Sequence, residues 1–320
     1  MIEILKPTYY NIKKAAEKIK EGKLIVFPTE TVYGLGADVF NKKAVARIFE
    51  VKERPKFDPL IVHISDLKQL RELIDDKIDE KVDRLIKNLW PGPLTIVFKK
   101  NKKVPDIVTS GLDTVAVRMP RNNISLNLIR FSKTPIAAPS ANKFARTSPT
   151  KPKHILKQFK TEEIEYIIDG GKTDFGVEST IIKYENGDFY LLRKGAISKE
   201  DIEKIINQKL IYKKSDGIES PGQFKKHYAP LARVIIVDND FKLKDDRNAG
   251  YIAFYKKPAK KFKLVRVLSS KKDLKEAAAN LFDFFHEFED RGIKKIYIEK
   301  VEEKGIGEAI MDRMRKASAG

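Results

Sequence analysis

The sequence contains no cysteine among its 320 residues. This absence excludes disulfide bonds, thiolate zinc sites, iron–sulfur clusters and a cysteine nucleophile. Only four histidines are present, and their wide spacing does not indicate a metal site built from histidine; they are His63, His154, His227 and His286. No apolar stretch approaches the ~18–20 residues that cross a bilayer, and the charged N-terminal segment lacks the apolar core of a signal peptide. We therefore expect a soluble, cytoplasmic protein without a membrane partner.

Positive charge is in large excess, because 64 Lys+Arg face 45 Asp+Glu and leave a formal net charge of +19. A positive field attracts anions such as nucleotides, phosphates and RNA. Lysine- and glutamate-rich surfaces are also typical of proteins from hot environments. The lysines are dispersed apart from two clusters, at Lys99–Lys103 and Lys256–Lys272, and neither belongs to a recognisable nucleic-acid-binding motif. Net charge alone therefore leaves the partner open.

The hydrophobic content of 42% is sufficient for a folded core, and the length suggests about two domains. Hydrophobic periodicity predicts helices at Tyr10–Glu21, Lys42–Lys52, Leu67–Ile74, Val82–Leu89, Lys199–Ile206, Lys272–Glu289 and Gly307–Lys316. Strands are predicted at Leu24–Phe27, Leu60–Ile64, Leu94–Phe98, Thr114–Arg118, Ile136–Ala138, Tyr166–Ile168, Ser179–Lys183, Phe189–Arg193, Arg233–Val237, Tyr251–Tyr255, Leu264–Leu268 and Lys295–Glu299. This mixture predicts an α/β fold.

The region from Tyr212 to Pro230 differs from its surroundings because it is polar, contains glycine and proline, and lacks periodicity. Such a composition is typical of a linker. Beyond it, strands and helices alternate again, which predicts a small open sheet that is at least partly parallel. We predict one domain over residues 1–205, a linker over 206–231 and a smaller domain over 232–320.

Polar and cationic side chains lie where predicted strands and helices end. The segment Pro28–Gly36 follows a buried strand, which is where α/β folds place binding loops. Lys52 and Arg54 close a helix, where cations are favoured by the helix dipole and would also form a phosphate clamp. Gly34-Leu35-Gly36 lacks the third glycine of a dinucleotide fingerprint. Together, these strand and helix ends suit a multiply charged ligand.

Several segments match one family closely and in order: GKLIVFPTETVYGLGAD, KERPKFDPLIVHI, WPGPLTIVFK, VAVRMP, PIAAPSAN, GVESTII and LLRKGAI. Through them the chain resembles the YrdC-domain family. Two further segments, SPGQFKKHYAP and GIGEAIMDRMRKA, resemble its longer members, which carry an extra C-terminal domain. The resemblance implies an N-terminal twisted α/β domain with a basic concave cavity. It also implies a smaller Rossmann-like α/β domain and a linker that covers the cavity.

The resemblance implies a nucleotidyltransferase that makes L-threonylcarbamoyl-adenylate and pyrophosphate from L-threonine, bicarbonate and ATP, with Mg²⁺ on the ATP phosphates. A separate transferase would then carry the threonylcarbamoyl group to tRNAs that read ANN codons. The tRNA and this transferase are therefore candidate partners. The carbamate formed from threonine attacks the α-phosphorus itself, so no protein nucleophile is needed, which agrees with the absence of cysteine.

The resemblance also assigns roles to individual residues. The catalytic pair is Lys52 and Arg54. The residues implied for ATP are Arg54, Asp58, Thr114, Ser140, Asn142, Ser148, Arg193 and Tyr228. Those implied for threonine are Thr31, His63, Arg118, the Ala138 backbone and Ser179, and no protein ligand is implied for the metal. The chain departs from the family at Phe144-Ala145-Arg146, where many members have Ser-Gly, so that Arg146 would either contact phosphate or face solvent.

Two other functions compete with this one. A double-stranded RNA or tRNA-binding module without catalysis would use a basic concave face, and its affinity would fall steeply with salt and ignore threonine. A different carbamoyl-type transfer occurs in hydrogenase-maturation proteins that share the domain. Those proteins carry zinc-finger and acylphosphatase regions, and this chain has neither the cysteines nor the length for them.

Overall fold

The computed structural model describes residues 2–75, 77–212, 220–222 and 227–319 of the chain. Fifteen strands and nine α-helices lie within these residues. The strands are β1 Glu3–Leu5, β2 Ile25–Pro28, β3 Tyr33–Asp38, β4 Ile61–His63, β5 Leu94–Lys99, β6 Thr114–Arg118, β7 Ile136–Ala137, β8 Tyr166–Ile168, β9 Thr180–Glu185, β10 Asp188–Arg193, β11 Ile211–Tyr212, β12 Arg233–Val237, β13 Asp246–Ala253, β14 Phe262–Val267 and β15 Lys295–Glu299. The helices are α1 Tyr9–Lys20, α2 Lys42–Lys52, α3 Leu67–Leu73, α4 Glu80–Leu89, α5 Asp106–Thr109, α6 Asn123–Ser132, α7 Lys199–Ile206, α8 Leu274–Asp290 and α9 Gly307–Ser318.

The first eleven strands form one mixed sheet, in the order β1-β8-β2-β3-β7-β4-β6-β5-β9-β10-β11. Helices pack against it because their apolar residues recur on one face. In α1, for example, Ile12, Ala15 and Ile19 are buried, and the Thr8 hydroxyl accepts a hydrogen bond from the Asn11 amide at the helix start. The ends of β4 and β6 lie side by side, since His63 pairs with Arg118. This pairing brings two predicted site residues together.

The last four strands form a second sheet, in the order β12-β15-β13-β14, and all of its pairs are parallel. Helices α8 and α9 bury Phe282, Phe285 and Met314 in the core of this smaller unit. A parallel sheet needs helical crossovers on its faces, so alternating strands and helices in the sequence predict it. The structure confirms a two-domain α/β architecture with a small parallel second sheet.

Most predicted elements are present within a few residues of their expected ends, but the segment Pro28–Gly36 is not a loop throughout. Its second half belongs to β3, which pairs antiparallel with β2. The Thr29 hydroxyl closes the turn between them by donating to the Val32 carbonyl at 2.7 Å. Gly36 serves packing, because a Cβ there would lie 2.7 Å from Phe27 Cε1 and from Ile136 Cγ2. Gly34 and Gly36 therefore belong to a packed strand and not to the predicted binding loop.

The predicted linker is described only in part, since residues 213–219 and 223–226 lie outside the described residues. Strand β11 falls within the predicted linker, yet it pairs with β10, so the first sheet reaches Tyr212. The second sheet begins at Arg233. Across the described ranges, no helix combines the length and the hydropathy required to cross a membrane.

Candidate active site

A cavity lies between the large sheet and the part of the predicted linker at residues 221–222 and 227–228. Its walls come from the β2–β3 turn, the ends of β4, β6 and β10, the segment after β7, and residues 221–222 and 227–228. Many of the predicted site residues line it: Thr31, Arg54, His63, Arg118, Ala138, Ser140, Ser179, Arg193 and Tyr228. The fold therefore collects side chains that are up to about two hundred positions apart in sequence around one volume.

Lys52 and Asn142 lie behind the wall of the cavity to which Ser140 belongs. The fully buried Lys52 amine donates to the Ser140 carbonyl at 2.6 Å and to the Asn142 carbonyl. Burial and the neighbouring Arg54 charge lower the pKa of Lys52 well below its usual value. The Asn142 amide donates to the Lys143 and Arg146 carbonyls. Lys52 and Asn142 thus hold the loop after β7, and of these three only Ser140 lines the cavity.

Arg54 lines the cavity and is fixed from behind by Asp58. Its Nη2 lies 2.8 Å from Asp58 Oδ2, and its Nε and Nη2 also donate to the Asp58 and Pro59 carbonyls at 3.0 and 2.9 Å. Asp58 is fully buried, and this burial raises the pKa of its carboxyl, against the effect of the Arg54 charge. Asp58 therefore orients Arg54 and does not itself line the cavity.

Arg118 reaches the cavity from the end of β6 and is held on three sides. Its Nη2 lies 2.7 Å from Glu30 Oε1, its Nη1 donates to Thr31 Oγ1 at 2.9 Å, and its Nε donates to the Gly92 carbonyl at 3.3 Å. Both members of the Arg118–Glu30 pair are buried. Only its place in the Pro28–Gly36 segment pointed to Glu30 before the structure was known.

Arg193 and Ser179 form a second polar wall. The Arg193 guanidinium donates to the Ser179 carbonyl at 3.1 Å, to the Ser179 hydroxyl at 3.0 Å and to the Pro221 carbonyl at 3.3 Å. The Ser179 hydroxyl also shares a 2.7 Å hydrogen bond with Thr95 Oγ1. In the part of the chain that is described, the partners of Arg193 are neutral oxygen atoms. It is the cavity arginine whose charge no described carboxylate contacts.

Besides Asp58 and Asn142, two further predicted ATP residues do not line the cavity. Thr114 begins β6, four residues before Arg118, and is at the other end of that strand. The buried Ser148 hydroxyl donates to Glu178 Oε1 at 2.6 Å, while Glu178 itself lines the cavity. Glu178 also pairs with Arg313 of α9, with Oε2 2.7 Å from the arginine Nε. Neither Glu178 nor Arg313 was predicted as a site residue.

Tyr228 supplies an aromatic wall from the predicted linker. It is buried, has a left-handed φ of 62°, and stacks on Phe282 with ring centroids 5.7 Å apart. The adjoining His227 lies 4.1 Å from the Tyr228 ring, centroid to centroid. The backbone of this segment joins the loop after β7, since the Ala229 amide donates to the Ala145 carbonyl at 2.9 Å. The residues on either side of the cavity are therefore hydrogen-bonded to each other.

The Phe144–Arg146 departure from the family pattern has a defined structure. Ala145 has a left-handed φ of 61°, a conformation that favours glycine. Arg146 does not face solvent freely, and it does not line the cavity. Its Nη2 lies 2.7 Å from Glu289 of α8, so the side chain ties the first domain to the second. The side chain is half-buried and paired, so it does not simply face solvent, and a contact of Arg146 with phosphate stays a prediction.

All four histidines have lowered pKa values because burial disfavours their charged forms. The pKa is lowered to about 3 for His63 and for His286. In the unfolded chain a histidine titrates near 6.5, so below that pH the unfolded state binds protons that the folded state does not. The contribution of these histidines to folding stability is therefore fully present above about pH 6.5, and it is lost progressively as the pH falls towards about 3.

We expect the thermal unfolding midpoint to decrease as the pH is lowered from 7 to 5. The free energy of unfolding should decrease by up to about 1.4 kcal/mol per pH unit for each histidine. Differential scanning fluorimetry across this range measures the change. The His286→Gln variant serves as the comparison, because it removes one titrating group and should give a shallower pH dependence. An unfolding midpoint independent of pH over this range contradicts the prediction.

The acidic side chains next to the cavity form ion pairs with arginines. The pairs are Glu30–Arg118, Asp58–Arg54 and Glu178–Arg313. Across the described ranges, no group of three or more histidine, cysteine, aspartate or glutamate side chains is placed to hold a metal ion. The donor set therefore does not fit a resident metal centre built from protein ligands.

A large mixed sheet that carries an arginine-lined cavity, together with a small parallel domain, defines a two-domain α/β protein of the YrdC type. Comparison with known families is specific: residues 17–195 match the family Sua5_yciO_yrdC, described as "Telomere recombination", and residues 197–319 match "Threonylcarbamoyl-AMP synthase, C-terminal domain". The chain belongs to the Sua5/YciO/YrdC family, in its two-domain form.

Similar proteins and structures cover nearly the whole chain. It is 45% identical to the threonylcarbamoyl-AMP synthase of Pyrococcus abyssi over 322 aligned residues, which cover 97% of this chain and 94% of that protein. It is 38% identical to the Bacillus subtilis protein of the same name, with coverage of 97% and 93%. The crystal structure of P. abyssi Sua5 complexed with L-threonine superposes with a TM-score of 0.89 at 42% identity, covering 100% of this chain and 98% of that one.

Proposed function

We propose that this protein is an L-threonylcarbamoyladenylate synthase, which makes threonylcarbamoyl-AMP and pyrophosphate from L-threonine, bicarbonate and ATP. The observation that carries the proposal is the cavity itself, on which Arg54, Arg118 and Arg193 converge with hydroxyl groups and a neutral imidazole. The named relatives support catalysis over an RNA-binding module without catalysis.

The threonine side of the cavity is proposed to consist of Thr31, His63, Arg118, Ala138 and Ser179. Arg118 offers a planar fork for the amino-acid carboxylate, which point charges such as lysine do not match. His63 is neutral, and its buried Nδ1 has no partner among the described residues, so it is available to a substrate hydroxyl. These groups select an amino acid with a short polar side chain.

The ATP side is proposed to consist of Arg54, Ser140, Arg193 and Tyr228 at the cavity surface, with Asp58, Asn142 and Ser148 behind them. The Tyr228 hydroxyl is buried and has no partner among the described residues. It lies beside Gly222, where a Cβ would come within 2.5 Å of it, so a larger residue would displace the ring. Thr114 is retained as a proposed ATP residue, but its contact would have to lie outside this cavity.

Lys52 is proposed to act through the loop that it holds and not by touching phosphate. Its amine is already bound to two carbonyls, and burial disfavours its charge. Arg54 is thus the proposed catalytic member of the pair, because it faces the cavity. The distinction matters for mutagenesis. Substitution of Lys52 would disturb the loop after β7, whereas substitution of Arg54 would remove a charge that faces the cavity.

The proposed chemistry needs positioning more than covalent catalysis. The threonine amine adds to the carbon of CO₂ and loses a proton, or adds to bicarbonate with loss of water, to give a carbamate. A carbamate oxygen then attacks the α-phosphorus while pyrophosphate leaves. The arginines neutralise charge on the phosphates and hold both reactants in line, which is how phosphoryl-transfer sites lower their barriers. Mg²⁺ is proposed to arrive on the phosphates as part of the substrate MgATP.

The wider assignments follow from this proposal. The product would be consumed by a transferase that modifies tRNA, so that transferase or tRNA is a proposed partner, and the cytoplasm is the proposed location. We also propose the domain division at 1–205, 206–231 and 232–320. The start of the second sheet at Arg233 supports the second of these boundaries, whereas β11 joins residues 211–212 of the linker to the first sheet.

The deciding experiment is pyrophosphate release from ATP by the full chain, measured with and without L-threonine and with and without bicarbonate. Release should require both, and mass spectrometry should detect threonylcarbamoyl-AMP. Release that continues when either is omitted rules out the synthase. Binding to double-stranded RNA that weakens steeply with salt, in a protein with no turnover, would instead support the RNA-binding module.

A further inference from the structure

Arg313 of α9 is completely buried between the second domain and the cavity wall. Its Nε lies 2.7 Å from Glu178 Oε2, and its Nη2 donates to the Lys194 carbonyl at 2.9 Å. Its Nη1 pairs with Asp312 at 2.5 Å. The side chain thus leaves its own domain and joins the first domain at two points.

The partner of Arg313 is a carboxylate on the cavity surface. Glu178 lines the cavity between Ser179 and the buried Ser148 hydroxyl. Burial would raise the pKa of Glu178, but Arg313 and Arg193 hold it below its usual value, so it carries a negative charge. Unless this charge is compensated, a carboxylate at this position repels the phosphates that Arg193 is proposed to bind.

Arg313 also supports the aromatic wall. Its guanidinium carbon lies 4.7 Å from the centroid of the Tyr228 ring, which is within cation–π range. Phe282 of α8 stacks on Tyr228 at 5.7 Å. The second domain therefore touches Tyr228 through two of its helices, and Tyr228 is held between them.

We propose that Arg313 is a positioning residue for the ATP side of the cavity, contributed by the second domain. It acts by neutralising Glu178 and by fixing the Tyr228 ring, and it does not touch substrate itself. The second domain thereby completes the cavity. This inference rests on the proposed function, since it concerns the affinity of the same site for ATP.

The test compares substitutions of Arg313 and Glu178, because the two side chains carry charges of opposite sign. Arg313→Met leaves the Glu178 charge exposed to the cavity, whereas Glu178→Gln leaves the Arg313 charge in place. We expect Arg313→Met to weaken ATP binding at least tenfold and Glu178→Gln to tighten it about threefold, measured by isothermal titration calorimetry with ATP alone. In steady-state assays, the KM for ATP should rise in Arg313→Met by a larger factor than the KM for threonine.

The matched control is Arg315→Met, since Arg315 lies two residues further along α9 and pairs at the surface with Glu303. Its ATP affinity should equal that of the wild type. If Arg313→Met is too unstable to purify, the double variant Arg313→Met/Glu178→Gln is compared with Glu178→Gln, and loss of the arginine should again weaken ATP binding, now through Tyr228 alone.

Equal weakening of ATP binding in Arg313→Met and Glu178→Gln would show that the pair is only structural and would overturn the inference. An unchanged ATP affinity in Arg313→Met overturns it as well. Failure of the proposed function looks different, because the wild-type protein itself would then show no threonine-dependent pyrophosphate release.

Discussion

Replacing Arg193 with methionine should lower kcat/KM for ATP by about 10²–10³-fold, the loss typical of removing one preorganised group that stabilises transition-state charge. The reason is that Arg193 has no carboxylate partner within the described chain. Its guanidinium donates instead to the Ser179 carbonyl and hydroxyl and to the Pro221 carbonyl. Arg54 and Arg118 each face a buried acid. Arg193 therefore brings positive charge to the cavity without a direct carboxylate contact among the described residues, and the charge of Glu178 acts on it only from a greater distance.

Pyrophosphate release at varied ATP concentration measures this effect. Arg193→Lys should recover part of the activity, because it keeps the charge but loses the planar fork that contacts two atoms of Ser179 at once. Arg130→Met is the control, since Arg130 is exposed in the last turn of α6, where its Nη1 donates to Asn127 Oδ1 at 3.0 Å. Activity of Arg193→Met within threefold of the wild type contradicts the assignment.

Local sequence predicted secondary structure where a single pattern decides it. The helix Lys42–Lys52 and the strands Thr114–Arg118 and Lys295–Glu299 have the predicted ends, because apolar spacing and turn residues bound each of them. Helix α6 at Asn123–Ser132 was missed, although the Asn122 side chain caps its first amides. Its start signal was overlooked, which shows that a cap can be as informative as periodicity.

Strand β3 was misjudged for a different reason. Tyr33-Gly34-Leu35-Gly36 contains two glycines, which normally indicate a loop. In the structure these glycines allow Phe27 of β2 and Ile136 of β7 to approach the strand closely. Such a requirement depends on residues that are distant in sequence, so it cannot be read from the segment itself.

The site was predicted through family motifs, and the structure shows what motifs leave out. They identify the cations that face the cavity, but not Glu30, which orients Arg118, and not Glu178, which pairs with Arg313. Glu178 and Arg313 are 135 positions apart, and their contact depends on how the two domains pack. Likewise, the net charge of +19 does not reveal which arginine is locally compensated. That distinction depends on distances of a few ångströms.

The second large effect is expected at Arg118, where substitution by lysine should raise the KM for threonine by about 10- to 100-fold and leave the KM for ATP nearly unchanged. A charged hydrogen bond contributes about 1.5–3 kcal/mol, which corresponds to this range. Lysine keeps the charge, but one ammonium cannot reproduce the separate contacts to Glu30, Thr31 and Gly92 and still present a fork to a carboxylate.

Initial rates at varied threonine and saturating ATP measure this change, and varied ATP at saturating threonine gives the comparison. Arg121→Lys is the matched control, because Arg121 follows the same strand by three residues but is exposed and lies 3.9 Å from Asp174. Its KM values should be those of the wild type. If Arg118→Lys raises both KM values by the same factor, the side chain supports the cavity as a whole and does not select threonine. A rise in the KM for threonine alone in Arg118→Lys, together with an effect on ATP alone in the Arg193 variants, would support the division of the cavity into a threonine side and an ATP side.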